Sequence, residues 1–212
     1  MPAPVAQVAE QLQRLAQFGG GGREDVGDRY LQAQVLTELA AVQRLTGDYL
    51  AATASSQQAL SLFRDLPGSS PDAAYAFNEL GLAQQLTGDY PAAAASHQQA
   101  LELCRDTGDR LGQAETLNCL GELSSRTADG RQARDYHAGA LAIARELGTP
   151  AEEARALEGI GRSHFHSGDA SEAACLEQAL AIYQRIAAPA ARGVQESLLQ
   201  LRQDNLAPAP ER

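Results

Sequence analysis

The 212-residue sequence contains no lysine and no tryptophan, and aromatic residues make up only 5% of it. Its 17 basic side chains are therefore all arginines, set against 27 acidic ones for a formal net charge of −10. The arginines form no cluster, so no basic face exists to neutralise phosphates and direct nucleic-acid binding is not expected. Nowhere do 18 consecutive apolar residues occur. The opening MPAPVAQVAEQLQRLAQF has neither a basic n-region nor an uninterrupted apolar stretch, so a spanning helix and a secretory signal are both unexpected. The three cysteines, Cys104, Cys119 and Cys175, are odd in number and lack metal-ligand spacing. They fall inside helical patterns, where thiols pack as small hydrophobes, and a reducing cytoplasm suits them. There is no Gly-x-Ser-x-Gly, no Walker loop and no cysteine with an obvious histidine partner, so neither catalysis nor a cofactor is expected. The four glycines at 19–22 have no following lysine and no preceding strand, and read as a flexible linker.

Alanine is the commonest residue, and it favours helix because it loses no side-chain entropy there. Self-similarity then decides the architecture. Ala40, Gly81, Gly121 and Gly161 stand 41, 40 and 40 residues apart, each after an aliphatic residue: Leu39, Leu80, Leu120 and Ile160. Asp48, Asp89, Asp129 and Asp169 keep the same steps, as do Ala52, Ala93, Ala133 and Ala173. Ala59, Ala100, Ala140 and Ala179 step by 41, 40 and 39, and Gly27, Gly68, Gly108 and Gly148 complete the frame. GDRYLQAQVLTELA from Gly27 and GDRLGQAETLNCLG from Gly108 share seven of fourteen positions.

Each unit reads as a helical hairpin. A glycine such as Gly108 ends one helix at positive φ and Asp109 caps the next. The first helix carries Ala114, Leu117, Leu120, Gly121 and Leu123 at helical spacing, and its glycine or alanine admits a close neighbour. Thr-Gly-Asp-Tyr at 46–49 and 87–90 marks the turn, with the aspartate accepting from the open amides of the second helix.

An aliphatic-Gly pair followed by alanines twelve and nineteen residues after the glycine resembles the tetratricopeptide repeat. Leu80, Gly81, Ala93 and Ala100 match it, as do Leu120, Gly121, Ala133 and Ala140. The period of about 40 residues instead of 34, the missing tryptophan and the missing late proline depart from the common form. They resemble the extended-helix subclass of kinesin light chains, spindle adaptors and actinobacterial regulators. Within it, HQQALELCRDTGDRLGQAETLNCLG and EQALAIYQRI are similar to the C-terminal arrays of SARP/AfsR-like and NB-ARC-type transcriptional regulators. The resemblance implies an all-α, right-handed α-solenoid of about four hairpins, at 27–66, 68–107, 108–147 and 148–187, with flanking helices. A helix at 1–18 is either a cap or a partial repeat, its Val5, Val8, Leu12 and Leu15 at helical spacing, and residues 19–26 link it to the array. A C-terminal helix at 188–204 is expected to cover the last repeat with Val194, Leu198 and Leu201, followed by a disordered tail at 205–212. In the fourth repeat Ala173 and Ala179 are one residue too close, and a helix distortion or an altered start is expected there.

The resemblance further implies a non-catalytic protein-interaction module that binds a peptide or helix in a concave groove lined by the first helices, in a regulatory setting. Carried over, the groove positions are Thr37, Ala41 and Arg44; Asn78, Leu82 and Gln85; Asn118, Glu122 and Ser125; and Glu158, Arg162 and Phe165. The recurring Asn78 and Asn118 offer donor and acceptor together, suited to a peptide backbone or simply to solvent. Arg44, Arg155 and Arg162 suit acidic side chains of a partner. His97 and His137, 40 residues apart, are either a stacked metal- or proton-binding pair or packing residues at the seam between repeats. His164 and His166 point to different helix faces, which disfavours zinc. The alternative function is a structural homo-oligomer that pairs through a terminal helix, or a fragment of a larger SARP/NB-ARC-type transcriptional regulator.

Overall fold

The computed structural model describes residues 3–17, 26–68, 70–163 and 170–206. These form ten α-helices and no strand: α1 (Ala3–Gln17), α2 (Val26–Leu45), α3 (Tyr49–Phe63), α4 (Ser70–Thr87), α5 (Tyr90–Thr107), α6 (Arg110–Arg126), α7 (Gly130–Leu147), α8 (Pro150–Ser163), α9 (Ala170–Arg185) and α10 (Ala191–Leu206). The chain divides into two compact units, Met1–Cys119 and Leu120–Arg212, with the boundary inside α6.

The repeating aspartates act as N-caps. Asp48, Asp89 and Asp129 accept hydrogen bonds from the amides of Ala51, Ala92 and Gln132 at 3.2, 3.2 and 3.0 Å. The residue before each aspartate must take positive φ to make the turn. Gly47 and Gly88 do so at +87° and +86°, whereas the third turn places Ala128 there at +63°. Gly27 does not share the positive φ of Gly68, Gly108 and Gly148, because it lies in the first turn of α2.

In the first unit a core of Leu36, Phe63 and Leu66 is filled in by Ala16, Ala33, Ala59 and Ala76. In the second, Leu157, Leu176, Ala179 and Tyr183 pack with Val194 and Leu198 of α10, and Leu201 lies against them. Ala52, Ala93 and Ala133 are all fully buried, as are Ala59, Ala100, Ala140 and Ala179. A buried alanine every seven residues leaves room for the facing helix backbone, which larger side chains would hold away. α9 is unbroken from Ala170, but the residue missing between Ala173 and Ala179 turns Ala173 about 100° off the seam, and it is only half-buried. α1 is attached through Ala16, whose carbonyl accepts from Gln32 Nε2 at 2.8 Å, and it leaves Val8 and Leu15 exposed.

Candidate functional site

Asn78 and Asn118 are not on a groove surface. Asn78 on α4 is 6% exposed and Asn118 on α6 is 0% exposed. Asn78 Nδ2 donates to Thr116 Oγ1 at 2.7 Å, and that hydroxyl donates onward to the Gly112 carbonyl at 2.8 Å. The amide orientation leaves Asn78 Oδ1 facing His97 Nδ1 at 3.1 Å. An amide oxygen only accepts, so His97 carries its proton on Nδ1. The asparagine expected to hold a peptide backbone, or to face solvent, instead closes an internal chain from imidazole to helix carbonyl. Burial without a hydrogen-bond partner costs more than any surface exposure would.

His97 and His137 are 0% and 1% exposed and pack against the glycines of the repeat signature. A Cβ on Gly81 would stand 2.6 Å from His97 Cε1, and one on Gly121 would stand 2.5 Å from His137 Nε2. Gly159 of α8 lies on the same imidazole and has equally little room for a Cβ. His137 is thus held between glycines of α6 and α8. Burial lowers its pKa to about 4, a further lowering by Arg155 being opposed by Glu122. It is a neutral packing residue near neutral pH. His164 and His166, with Phe165, lie outside the described residues.

The remaining groove residues are brought together in the second unit. Glu122 and Arg126 on α6 are one helical turn apart, and α8 presents Arg155, Glu158 and Arg162 at the i, i+3, i+7 spacing of one face. They surround a cavity of about 360 Å³ together with Ser125, His137 and Gly159. Arg155 Nε donates to Glu122 Oε1 at 2.6 Å and its Nη1 lies 3.7 Å from Glu152. Arg162 Nη2 lies 2.9 Å from Glu158 Oε1, and Tyr183 donates its hydroxyl to Glu158 Oε2 at 3.1 Å. Burial above all, then the Glu158 carboxylate, raises the Tyr183 pKa and keeps that hydroxyl protonated. Arg162 also reaches Ser197 Oγ on α10 at 3.4 Å. The cluster can offer both signs of charge to a visiting chain. Arg126 and Gly159 were not among the residues expected from the sequence. The i+4 step from Glu122 points to Arg126, whereas nothing in the sequence marks Gly159 as the position that lets the cavity reach the imidazole.

In the first unit Thr37, Arg44 and Gln85 are taken up within the fold, while Ala41 and Leu82 are half-buried. Thr37 is 3% exposed and donates to the Ala33 carbonyl. Arg44 is held by buried Glu79 through Nε at 2.8 Å and Nη2 at 3.3 Å, so its charge is met within the fold. Gln85 is buried as well. Cys104 is buried, which raises its thiol pKa to about 11 and makes it a packing residue. Among the described residues no group of His, Cys, Asp and Glu is placed to hold a metal ion, and no helix is long and apolar enough to cross a membrane.

The sequence matches the tetratricopeptide repeat family over residues 31–106 and 112–186. The chain belongs to this family. Tetratricopeptide repeats are in general non-catalytic scaffolds for protein interaction, and the chain has their all-α solenoid fold. Three of the solved structures that share it illustrate the likeness. BtubC (BKLC) from P. vanneervenii is 18% identical with a TM-score of 0.66, the match covering 99% of this chain and 93% of that one. Aspartyl phosphate phosphatase F from Bacillus subtilis is 13% identical with a TM-score of 0.73, over 82% of this chain and 45% of that one. The apo form of RapI is 12% identical with a TM-score of 0.69, over 94% and 55%. Identities this low show the fold alone. No functionally curated protein matches the sequence.

Proposed function

We propose that this tetratricopeptide protein is a non-catalytic interaction module that receives a peptide or helix of a partner protein at the charged cavity of its second unit. Glu122, Arg155, Glu158 and Arg162 are the contact residues, and Arg126 joins them. The setting is regulatory, transcriptional or signalling, and cytoplasmic, in keeping with the repeat phrases that resemble actinobacterial regulators. The observation that carries the reading is the gathering of these side chains from α6 and α8 around one 360 Å³ cavity. Arginine and carboxylate heads on one wall make directional, charge-assisted bonds to a partner. The phosphatase activity named for one solved relative is not carried over, since this chain spans under half of that protein at 13% identity.

The test is a peptide-display selection on the full chain, repeated on Arg162→Ala after its helicity is shown to be unchanged. Arg162 is half-exposed, so its truncation leaves the fold intact. Peptides that bind the wild type and are lost from the variant support the reading. Peptides that bind both equally place the interface elsewhere.

A second reading rests on α1, where Val8 and Leu15 are 46% and 53% exposed on one short helix. Pairing of that helix with its twin would cover them. Light scattering decides this, because a monomer at every concentration removes the homodimer.

A further inference from the structure

The first unit holds its own cavity, of about 260 Å³, lined by Gln34, Thr37, Glu38, Phe63, Asp72 and Tyr75. It is built by helical spacing. α2 supplies 34, 37 and 38 from one face, α4 supplies 72 and 75 three residues apart, and Phe63 ends α3. Its volume falls below the ~300 Å³ at which pockets for drug-sized ligands begin. The space therefore suits one side chain and not a cofactor.

The chemistry of the lining is one-sided. Asp72 accepts from the Tyr30 hydroxyl at 2.6 Å and from Gln34 Nε2 at 3.2 Å. Both donors are neutral, so they fix the carboxylate in place without cancelling its charge. Glu38 is exposed and makes no ion pair among the described residues. Arg44 is the cation whose field reaches Tyr75, and it is already held on two nitrogens by Glu79. Tyr75 itself is 41% exposed, an aromatic ring left open beside two uncompensated carboxylates. Burial first, then the fields of Glu79 and Glu38, raise its pKa to about 12, with Glu115 adding to the shift and Arg44 opposing it. The prevailing field at the ring is negative.

We infer that this cavity receives a cationic side chain, arginine or lysine, from a partner protein, paired by Glu38 and Asp72 and held against the Tyr75 ring. An aromatic face attracts a cation through its quadrupole, and fixed carboxylates beside it supply the ion pair. The inference does not rest on the charged cavity of the second unit, and either can fail alone.

The experiment is an NMR titration of the isotope-labelled full chain with acetyl-arginine amide, acetyl-lysine amide and the neutral isostere acetyl-citrulline amide. Saturable shifts at the Tyr75 ring and the Thr37 methyl with the two cations, absent with citrulline and weakened by salt, are the expected result. Glu38→Gln and Tyr75→Leu each raise the dissociation constant about fivefold or more, while Tyr75→Phe retains binding because it keeps the ring face. Dispersed spectra of each variant establish that it is folded. A flat titration with both cations, equal shifts with citrulline, or binding unchanged by Glu38→Gln overturns the inference.

Discussion

A buried imidazole lies on a glycine in both of the middle hairpins, and the first hairpin shows how the pair is matched. Where those hairpins have Gly81 with His97 and Gly121 with His137, the first has Ala40 with Ser56. A larger residue on the first helix is accompanied by a smaller one on the second. Gly121→Ala should therefore destabilise the fold by roughly 1–3 kcal/mol, the usual cost of overpacking. Adding His137→Ser should recover part of that loss, read as urea midpoints of the single and double variants. His137 also makes stability depend on pH. Its pKa is about 4 in the native state against 6.5 unfolded. Between these values the unfolded chain binds the proton and the native one does not, so stability falls as pH drops from 6.5 to 4. The contribution is roughly 3 kcal/mol in all, fully present above pH 6.5. In His137→Gln that part of the slope should vanish, which chemical denaturation at pH 4.5 and 7.5 measures.

The helical elements depend on their turns as much as on their faces. Thr-Gly-Asp opens the second helix of the first two hairpins, and Thr-Ala-Asp opens that of the third. The capping aspartate keeps its hydrogen bond there, but Ala128 holds φ at +63° where its Cβ crowds the backbone. Ala128→Gly should relieve that strain, less the entropy of a freer unfolded chain, for a net gain of about 1 kcal/mol. In a chain of this length that raises Tm by about 2–4 °C, measurable by thermal unfolding. Asp48, Asp89 and Asp129 announced the helix starts because a cap acts within four residues of its own chain. The altered seam of α9 was legible as a missing residue, but its outcome, an unbroken helix with Ala173 turned off the seam, depended on what the rest of the helix packs against.

At the scale of the whole molecule, packing runs mostly between elements adjacent in sequence. Stability in such an array is close to a sum of repeat and nearest-neighbour terms. Leu176, fully buried among α8, α9 and α10, tests this. Leu176→Ala should lower hydrogen-exchange protection in α8 to α10 and leave α2 and α3 unchanged. A uniform loss across the chain would mean one cooperative core instead.

The period of forty, the small residues that recur with it and the capping aspartates determined the helices and the family, because each acts through local backbone geometry and close helix approach. From the sequence, the resemblance to the repeat also singled out Glu122, Glu158 and Arg162 as groove positions, with Arg155 beside them as a partner for acidic side chains. Only the tertiary structure decided that Asn78 and Asn118 are interior, that Arg44 is bound by Glu79, and that Glu38, Asp72 and Tyr75 enclose a cavity. Whether a polar side chain meets solvent or a neighbour depends on which helix lies opposite it, and that neighbour comes from thirty to forty residues away in the chain.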